Sequence, residues 1–267
     1  MDHGFLFGDS IYEVVRVYDK KLLGWADHRE RLLRSAKRLW LNIEPMLPLI
    51  EKRTKEILQV LSEPNSAVRI VITRGIGPLH ISTKSCDKPQ VYMAAWKYEA
   101  HLHRSPVSLA FPKIHRNSRD ALDPAIKSGN YLNSIIALRE AQDLGADDAV
   151  MLNSQGELTE LTTSNFGWIK SGEIFTPHEN SGILLGITRK ILLEALSVKT
   201  GSYKVEDLQG ADEVFALSTF KEVLPVKSIR FEDGSIKTFD NFPEVNKLQE
   251  LIHQNILKKL SLEKEWY

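Results

Sequence analysis

The sequence predicts a mixed α/β fold in two domains, and three observations carry that prediction. Strand-like runs of β-branched residues alternate with segments of helical periodicity along the whole of the 267 residues. Regular periodicity lapses in mid-chain, around Tyr98 to Pro106, where His101, His103, Arg104 and Ser105 cluster. The length suffices for two medium-sized cores. The expected division is a small α/β domain over 1–98, a linker over 99–106 and a larger domain over 107–267.

Residues 11–18 are β-branched and alternating, which puts Tyr12, Val14, Arg16 and Tyr18 on one face and Ile11, Glu13, Val15 and Val17 on the other. Asp19-Lys20 supplies a turn, and Leu22-Leu23-Gly24-Trp25 is expected to return as the second strand of a hairpin. Asp27 with Glu30 three residues later reads as a capping box, opening a helix that turns Leu32, Leu33, Ala36 and Leu39 inward. A second helix is expected over about 47–61, followed by buried strands at 67–73 and 91–95. Beyond the linker, strands are expected at 149–152, 166–169 and 214–217, and helices at 130–144, at 188–196 and from Val245. In the first of these helices Leu132, Ile135, Ile136 and Ala141 set the apolar spacing, and Leu144-Gly145 supplies the stop.

Thirty-five basic residues balance thirty-five acidic ones, and the two are interleaved. There is no positive stripe to track a phosphate backbone, so no nucleic-acid partner is expected. Cys86 is the single cysteine, which excludes an internal disulfide and a cysteine-based metal cluster and fits a reducing, cytoplasmic compartment. Apolar runs such as 183–185 and 191–193 are too short for a bilayer, and Met1-Asp2-His3-Gly4 is not the start of a signal peptide. No membrane partner and no metal are expected.

Lys127 is the first candidate for chemistry. Pro124 biases the residue before it away from helix, and Ser128-Gly129-Asn130 is a turn and helix-start signal, so Lys127 lies on a short connecting element. Beside Ile126 it is expected to be partly desolvated, which favours a neutral amine able to attack a carbonyl. Gly186 precedes a helix, where the amides of Ile187 and Thr188 and the Thr188 hydroxyl make either an ordinary helix start or a phosphate site. Ser218 and Thr219, directly after a strand, add two hydroxyls of the same double meaning. Glu160, in a polar turn before Phe166, is either a solvated carboxylate or the partner of a protonated ring nitrogen. Arg69 interrupts the apolar run 68–72; a buried arginine there requires an anion, either a structural acid or a bound carboxylate.

Taken in order, Phe7-Gly8-Asp9-x-x-Tyr12-Glu13, His28-x-x-Arg31-Leu32, Ile126-Lys127-Ser128-x-Asn130-Tyr131-Leu132-Asn133, Thr159-Glu160-x-x-x-Ser164-Asn165 and Gly186-Ile187-Thr188-Arg189 resemble the fold-type IV pyridoxal-phosphate enzymes. That family comprises branched-chain aminotransferases, D-amino-acid aminotransferases and aminodeoxychorismate lyases. The resemblance runs from Asp2 to at least Pro225 and implies a homodimer, each chain with a small α/β domain and a larger pseudo-barrel domain, holding pyridoxal 5'-phosphate. Family members usually carry a further strand ahead of the Asp-His-Gly that here begins at Asp2, so the expectation is either a truncated start or a small domain without its first strand.

The resemblance also assigns roles. Lys127 is expected to bond to the cofactor aldehyde and to move the α-proton, and Glu160 to pair with the pyridine nitrogen. Arg31 falls on the phosphate-binding arginine, where a charge-assisted fork is apt. Ile187, Thr188, Ser218 and Thr219 complete the phosphate cup; Tyr131 faces the ring oxygen and Leu184 the ring face. Tyr12, Arg16 and Arg69 are the expected substrate-binding residues. Arg16 resembles branched-chain enzymes, whereas Val14 resembles D-amino-acid enzymes; the latter place an arginine where Pro78 stands, two residues before His80. Lyases commonly have threonine where this chain has Glu13. The expected activity is transamination between an α-amino acid and a 2-oxo acid with branched-chain-like preference. Pyruvate elimination by a lyase and D-amino-acid transamination are the alternatives, and the intact Lys127 and Glu160 argue against a non-catalytic binding protein.

Overall fold

The computed structural model describes residues 1–99 and 105–263. Of the linker expected over 99–106, residues 100–104 lie outside the described residues. The chain divides into two compact units. One comprises Met1–Glu99, Ile126–Asn130 and Lys258–Tyr267; the other comprises Ala100–Ala125 and Tyr131–Leu257.

The first unit is built on an antiparallel sheet in the order β2-β1-β3-β4, with β1 at Ser10–Tyr18, β2 at Lys21–Leu22, β3 at Asn65–Thr73 and β4 at Gln90–Lys97. Asp19 and Lys20 both adopt positive φ, 45° and 62°, the geometry that lets a two-residue turn follow the strand twist. Helices α1 (His3–Phe7), α2 (Trp25–Arg38) and α3 (Leu47–Val60) belong to the same unit. Period two holds along β1: Ile11, Val15 and Val17 join Val68, Ile70 and Ile72 of β3 and Leu32, Ala36, Ile50 and Leu58 of the helices in one core. The opposite face carries Tyr12, Val14 and Arg16, in register with Val71, Arg69 and Ala67.

Two expectations fail at the start of α2. The returning strand ends at Leu22, because Gly24 is left-handed (φ 63°) and Trp25 already begins the helix. Asp27 is therefore inside the first turn and not a cap; its carboxylate accepts from Lys259 Nζ at 2.5 Å, and the Gly24 amide is satisfied by Glu263.

The second unit is a curled half-barrel sheet in the order β10-β9-β8-β11-β12-β5-β6-β7, with β13 paired to β12. Its strands are β5 (Val107–Ala110), β6 (Asp148–Leu152), β7 (Leu158–Leu161), β8 (Asn165–Lys170), β9 (Glu173–Pro177), β10 (Val198–Gly201), β11 (Glu213–Ser218), β12 (Glu222–Arg230) and β13 (Ile236–Thr238). Phe166, Trp168, Val214, Leu224 and Ile229 fill its core. Helices α4 (Leu132–Asp143), α5 (Ile187–Ala195) and α6 (Val205–Gln209) belong here, and α7 (Pro243–Leu262) follows the last strand. Of the four expected apolar positions of α4 only Ala141 is buried. Ser134, Ala137 and Ala141 are buried, the two alanines packing with Ala110, Ala149 and Met151, while Leu132, Ile135 and Ile136 are exposed. Small side chains let the helix approach the sheet closely, and the larger ones are left outward. Among the described residues no helix is long and apolar enough to cross a membrane.

Candidate active site

In the first unit, main-chain bonds fix the lysine. Residues 126–130 run beside the start of β1: Tyr12 N donates to Lys127 O at 3.0 Å, Gly129 N donates to Ser10 O at 2.8 Å, and Ile11 bridges Ser128. Lys127 N donates to Ser35 Oγ on α2 at 3.2 Å. A Cβ at residue 129 would come 2.2 Å from Ser10 Oγ, so a larger residue there requires the serine hydroxyl to turn away. The backbone of Lys127 is thus held from the strand and from the helix, and its side chain is partly buried as expected. Nζ sits 4.6 Å from the centroid of the Tyr12 ring, and Arg69 Cζ sits 4.3 Å from the same centroid.

The two arginines differ. Arg69 is exposed and not buried as its neighbours in the sequence implied: it lies on the outer face, opposite Val14 and Ala94, while Val68 and Ile70 take the core side. Arg16 is buried, with its guanidinium between the rings of Tyr18 (4.2 Å) and Tyr98 (3.8 Å).

Glu13 and Arg31 form a pair that the sequence reading did not foresee. Glu13 is on the core side of β1 and fully buried; its Oε1 accepts from Arg31 Nε at 2.8 Å and its Oε2 from Arg31 Nη2 at 2.7 Å. His28 Nδ1 donates to Oε2 at 2.7 Å. Burial works to raise the Glu13 carboxyl, but the Arg31 charge and the bonds from Arg31 and His28 outweigh it and hold Glu13 well below the usual carboxylate range. For His28 burial dominates and lowers the imidazole below its ordinary value against the pull of Glu13, with the Arg31 and Lys127 charges acting in the same direction as burial.

In the second unit, Glu160 lies in β7 and is buried, not in a solvated turn. Arg116 Nη2 donates to its Oε1 at 2.6 Å, while Asn165 Nδ2 and the Leu184 amide both donate to Oε2 at 3.0 Å. Arg116 also bonds Ser134 Oγ at 3.1 Å, tying Glu160 to the first turn of α4, whose N-cap is Tyr131. Asn165 donates in addition to Leu184 O at 2.8 Å and packs against Gly186, where a Cβ would come 2.1 Å from its Oδ1. That close approach brings the start of α5, with Ile187 and Thr188, beside Asn165; no side chain caps this helix. Across the sheet Asn165 pairs with Leu217, one residue before Ser218, whose Oγ accepts from Lys221 N at 3.0 Å and so shapes the turn that contains Thr219. Glu160, Leu184, Ile187, Thr188 and Ser218 therefore gather around Asn165.

Arg116 and Asn165 are the residues the sequence reading passed over. Asn165 stood in a quoted motif without a role, and nothing local to Arg116 marks it, since its partner is 44 residues away. The donor set suits pyridoxal phosphate: an uncapped helix start and hydroxyls for a phosphate, and a buried carboxylate held by three donors for a ring nitrogen.

Comparison with known proteins agrees with this chemistry. The family model for amino-transferase class IV matches residues 10–229. A Methanocaldococcus jannaschii protein assigned as a branched-chain-amino-acid aminotransferase is 33% identical over 255 residues, 92% of this chain and 86% of that protein. The D-alanine aminotransferase of Staphylococcus haemolyticus is 32% identical over 284 residues, 97% of this chain and 93% of its own length. Among solved structures, the branched-chain aminotransferase of the thermophilic archaeon Thermoproteus uzoniensis, determined with norvaline, superposes with a TM-score of 0.87 at 28% identity, covering 100% of this chain and 93% of that one. The chain belongs to the class IV aminotransferases, which are pyridoxal-phosphate enzymes.

Proposed function

We infer that this aminotransferase moves an amino group between an α-amino acid and a 2-oxo acid and prefers apolar, branched-chain-like side chains. One observation carries the substrate class: Lys127 Nζ and the Arg69 guanidinium stand within 4.6 Å of the centre of the same Tyr12 ring. A carboxylate held by Arg69 would keep the attached α-carbon near the lysine amine. Val14, opposite Arg69, and Val71, opposite Tyr12, make the surface beside that cation apolar, which suits an aliphatic side chain.

Bound pyridoxal phosphate supplies a carbonyl that takes up the amino group and a pyridinium that withdraws electrons from the α-carbon. In this reading Lys127 Nζ would be the amine that holds the cofactor and the base that carries the α-proton. Glu160 would keep a proton on the ring nitrogen, with Arg116, Asn165 and the Leu184 amide fixing the carboxylate in orientation. Leu184 would pack on the ring face and Tyr131 would meet the ring oxygen. Arg31, the amides of Ile187 and Thr188, and the Ser218 and Thr219 hydroxyls are the groups that would hold the phosphate. Tyr12 would orient Lys127, and Arg69 and Arg16 would be the cations that meet the substrate carboxylate.

Exposed Phe5, Phe7, Ile76, Leu79 and Ile81 in the first unit, and Leu132, Ile135 and Ile136 in the second, support assembly as a homodimer. The single cysteine supports a cytoplasmic setting.

The test is a half-reaction screen in which L- and D-amino acids are added singly and the cofactor spectrum is followed. L-leucine, L-isoleucine and L-valine should convert the cofactor to its amine form faster than D-alanine. Conversion by D-alanine alone would assign the D-amino-acid reading. Pyruvate release from aminodeoxychorismate without an added oxo acid would assign the lyase.

A further inference from the structure

Burying a carboxylate, a guanidinium and an imidazole under β1 is unfavourable for stability, because apolar residues of similar volume serve a core as well or better. Glu13 is nevertheless flanked on its own strand face by Ile11 and Val15, both fully buried. The geometry suggests what the trio does. A guanidinium is planar and has two forks. Glu13 takes the side fork, Nε with one N–H of Nη2, at 2.8 and 2.7 Å. Rotation of the group about its last side-chain bonds would break both contacts, so its plane is fixed, and an anion would be met by the end fork, Nη1 with the outer N–H of Nη2.

His28 stands one helical turn before Arg31 on α2 and is fully buried. A carboxylate only accepts, so Nδ1 carries the proton in its 2.7 Å bond to Glu13 Oε2. The other ring nitrogen, Nε2, has no hydrogen-bond partner among the described residues, so the bond to Glu13 is the one hydrogen bond the imidazole makes there.

We propose that Glu13 is a positioning residue for the cofactor phosphate: it fixes the plane of Arg31 so that the end fork faces the phosphate, and His28 in turn fixes Glu13. This rests on the reading that Arg31 meets the phosphate. It also makes a demand that simple electrostatics does not. Glu13 is an anion, and removing its charge should strengthen attraction to a phosphate; if orientation is what matters, removing it weakens the hold instead.

The experiment measures cofactor loss from the full-chain holoenzyme during dialysis, together with the 31P resonance of the bound phosphate, in Arg31→Ala, Glu13→Gln, His28→Leu and His28→Asn. Glu13→Gln keeps the shape but turns one acceptor arm into a donor facing donors. It should speed cofactor loss by roughly tenfold to a hundredfold, the worth of a charge-assisted bond, and move the 31P shift toward that of free cofactor. His28→Leu should show a smaller loss of the same kind. His28→Asn, whose amide can replace Nδ1–H, should restore wild-type behaviour. Glu13→Gln added to Arg31→Ala should bring no further loss. If Arg31→Ala retains cofactor like wild type, the reading of Arg31 fails and takes this inference with it. If Arg31→Ala loses cofactor while Glu13→Gln holds it as tightly or more tightly, Arg31 stands and the positioning role is overturned. Should Glu13→Gln not fold, the His28 pair decides: equal retention and equal 31P shifts in His28→Leu and His28→Asn would overturn the role.

Discussion

Replacing Arg69 with leucine tests the substrate class most directly, and the structure sets the magnitudes. The side chain is exposed on the outer face of β3, and its stack over the Tyr12 ring at 4.3 Å is of the solvent-accessible kind, worth about 0.5–1 kcal/mol. The variant should therefore fold, with a stability loss below about 1 kcal/mol. If Arg69 takes the substrate carboxylate, the loss of a charge-assisted hydrogen bond of about 1.5–3 kcal/mol should raise KM for amino acids roughly ten- to 150-fold. The assay compares each amino acid with the amine that has the same side chain and no carboxylate, alongside thermal unfolding. Amines should be unaffected. Equal losses for both, or an unchanged KM for amino acids in a folded variant, would refute the assignment. Arg16→Leu provides the contrast: its guanidinium is buried between Tyr18 and Tyr98, so a fall in melting temperature is expected there before any effect on substrate.

Lys127→Ala should retain the fold yet lose the visible absorption of the lysine-bound cofactor and all turnover; an unchanged spectrum and rate would remove Lys127 from the chemistry. Glu160→Gln should keep cofactor bound but slow the isolated half-reaction by roughly a hundredfold or more, since a neutral partner holds the ring proton poorly; a wild-type half-reaction rate would make Glu160 a bystander. Acid should weaken the first unit in two stages, because both buried groups have lowered folded-state values and the unfolded chain takes up protons first. His28 contributes stability that is present above its ordinary value near 6.5 and is lost as pH falls toward its folded value, by up to about 1.4 kcal/mol per pH unit; Glu13 adds its own loss below about 4.5. His28→Asn, which does not titrate, should flatten the melting-temperature profile as pH falls below about 6.5, and parallel profiles for wild type and variant there would contradict the assignment.

The alternation in 11–18 was legible because the two faces of β1 meet different surroundings: Ile11, Val15 and Val17 join the apolar core, whereas Tyr12 and Arg16, buried as well, lie among aromatic rings and cations, so period two survives in the sequence. The same logic failed for α4. Its apolar spacing pointed to Leu132, Ile135, Ile136 and Ala141, but close packing against the sheet selected for small volume, and only Ala141 of these is buried, together with Ser134 and Ala137. Hydrophobicity does not register a helix whose inward face is chosen by size. Arg69 failed for a related reason: flanking valines and isoleucines suggested burial, yet in a strand with one open face they alternate with it.

Glu160 looked like a turn residue because its neighbours are threonines and a serine, which favour turns when their hydroxyls bond locally. Here the hydroxyls bond at a distance, Thr159 to Met151 O at 2.7 Å and Thr162 to Asp148 Oδ1 at 2.5 Å, so the polar composition lies inside the sheet. Arg116 had no local signal at all. Glu13 did have one that could have been followed further. Once period two places a carboxylate on the core side with Ile11 and Val15, a buried cation must answer it, because an isolated ionised carboxylate cannot be left there. The partner has to come from an element packed on that face, and on α2 the helical spacing puts His28 and Arg31 side by side. A residue that breaks the pattern on the buried side of a strand therefore names its partners from the sequence, and here it leads to the arginine assigned to the phosphate.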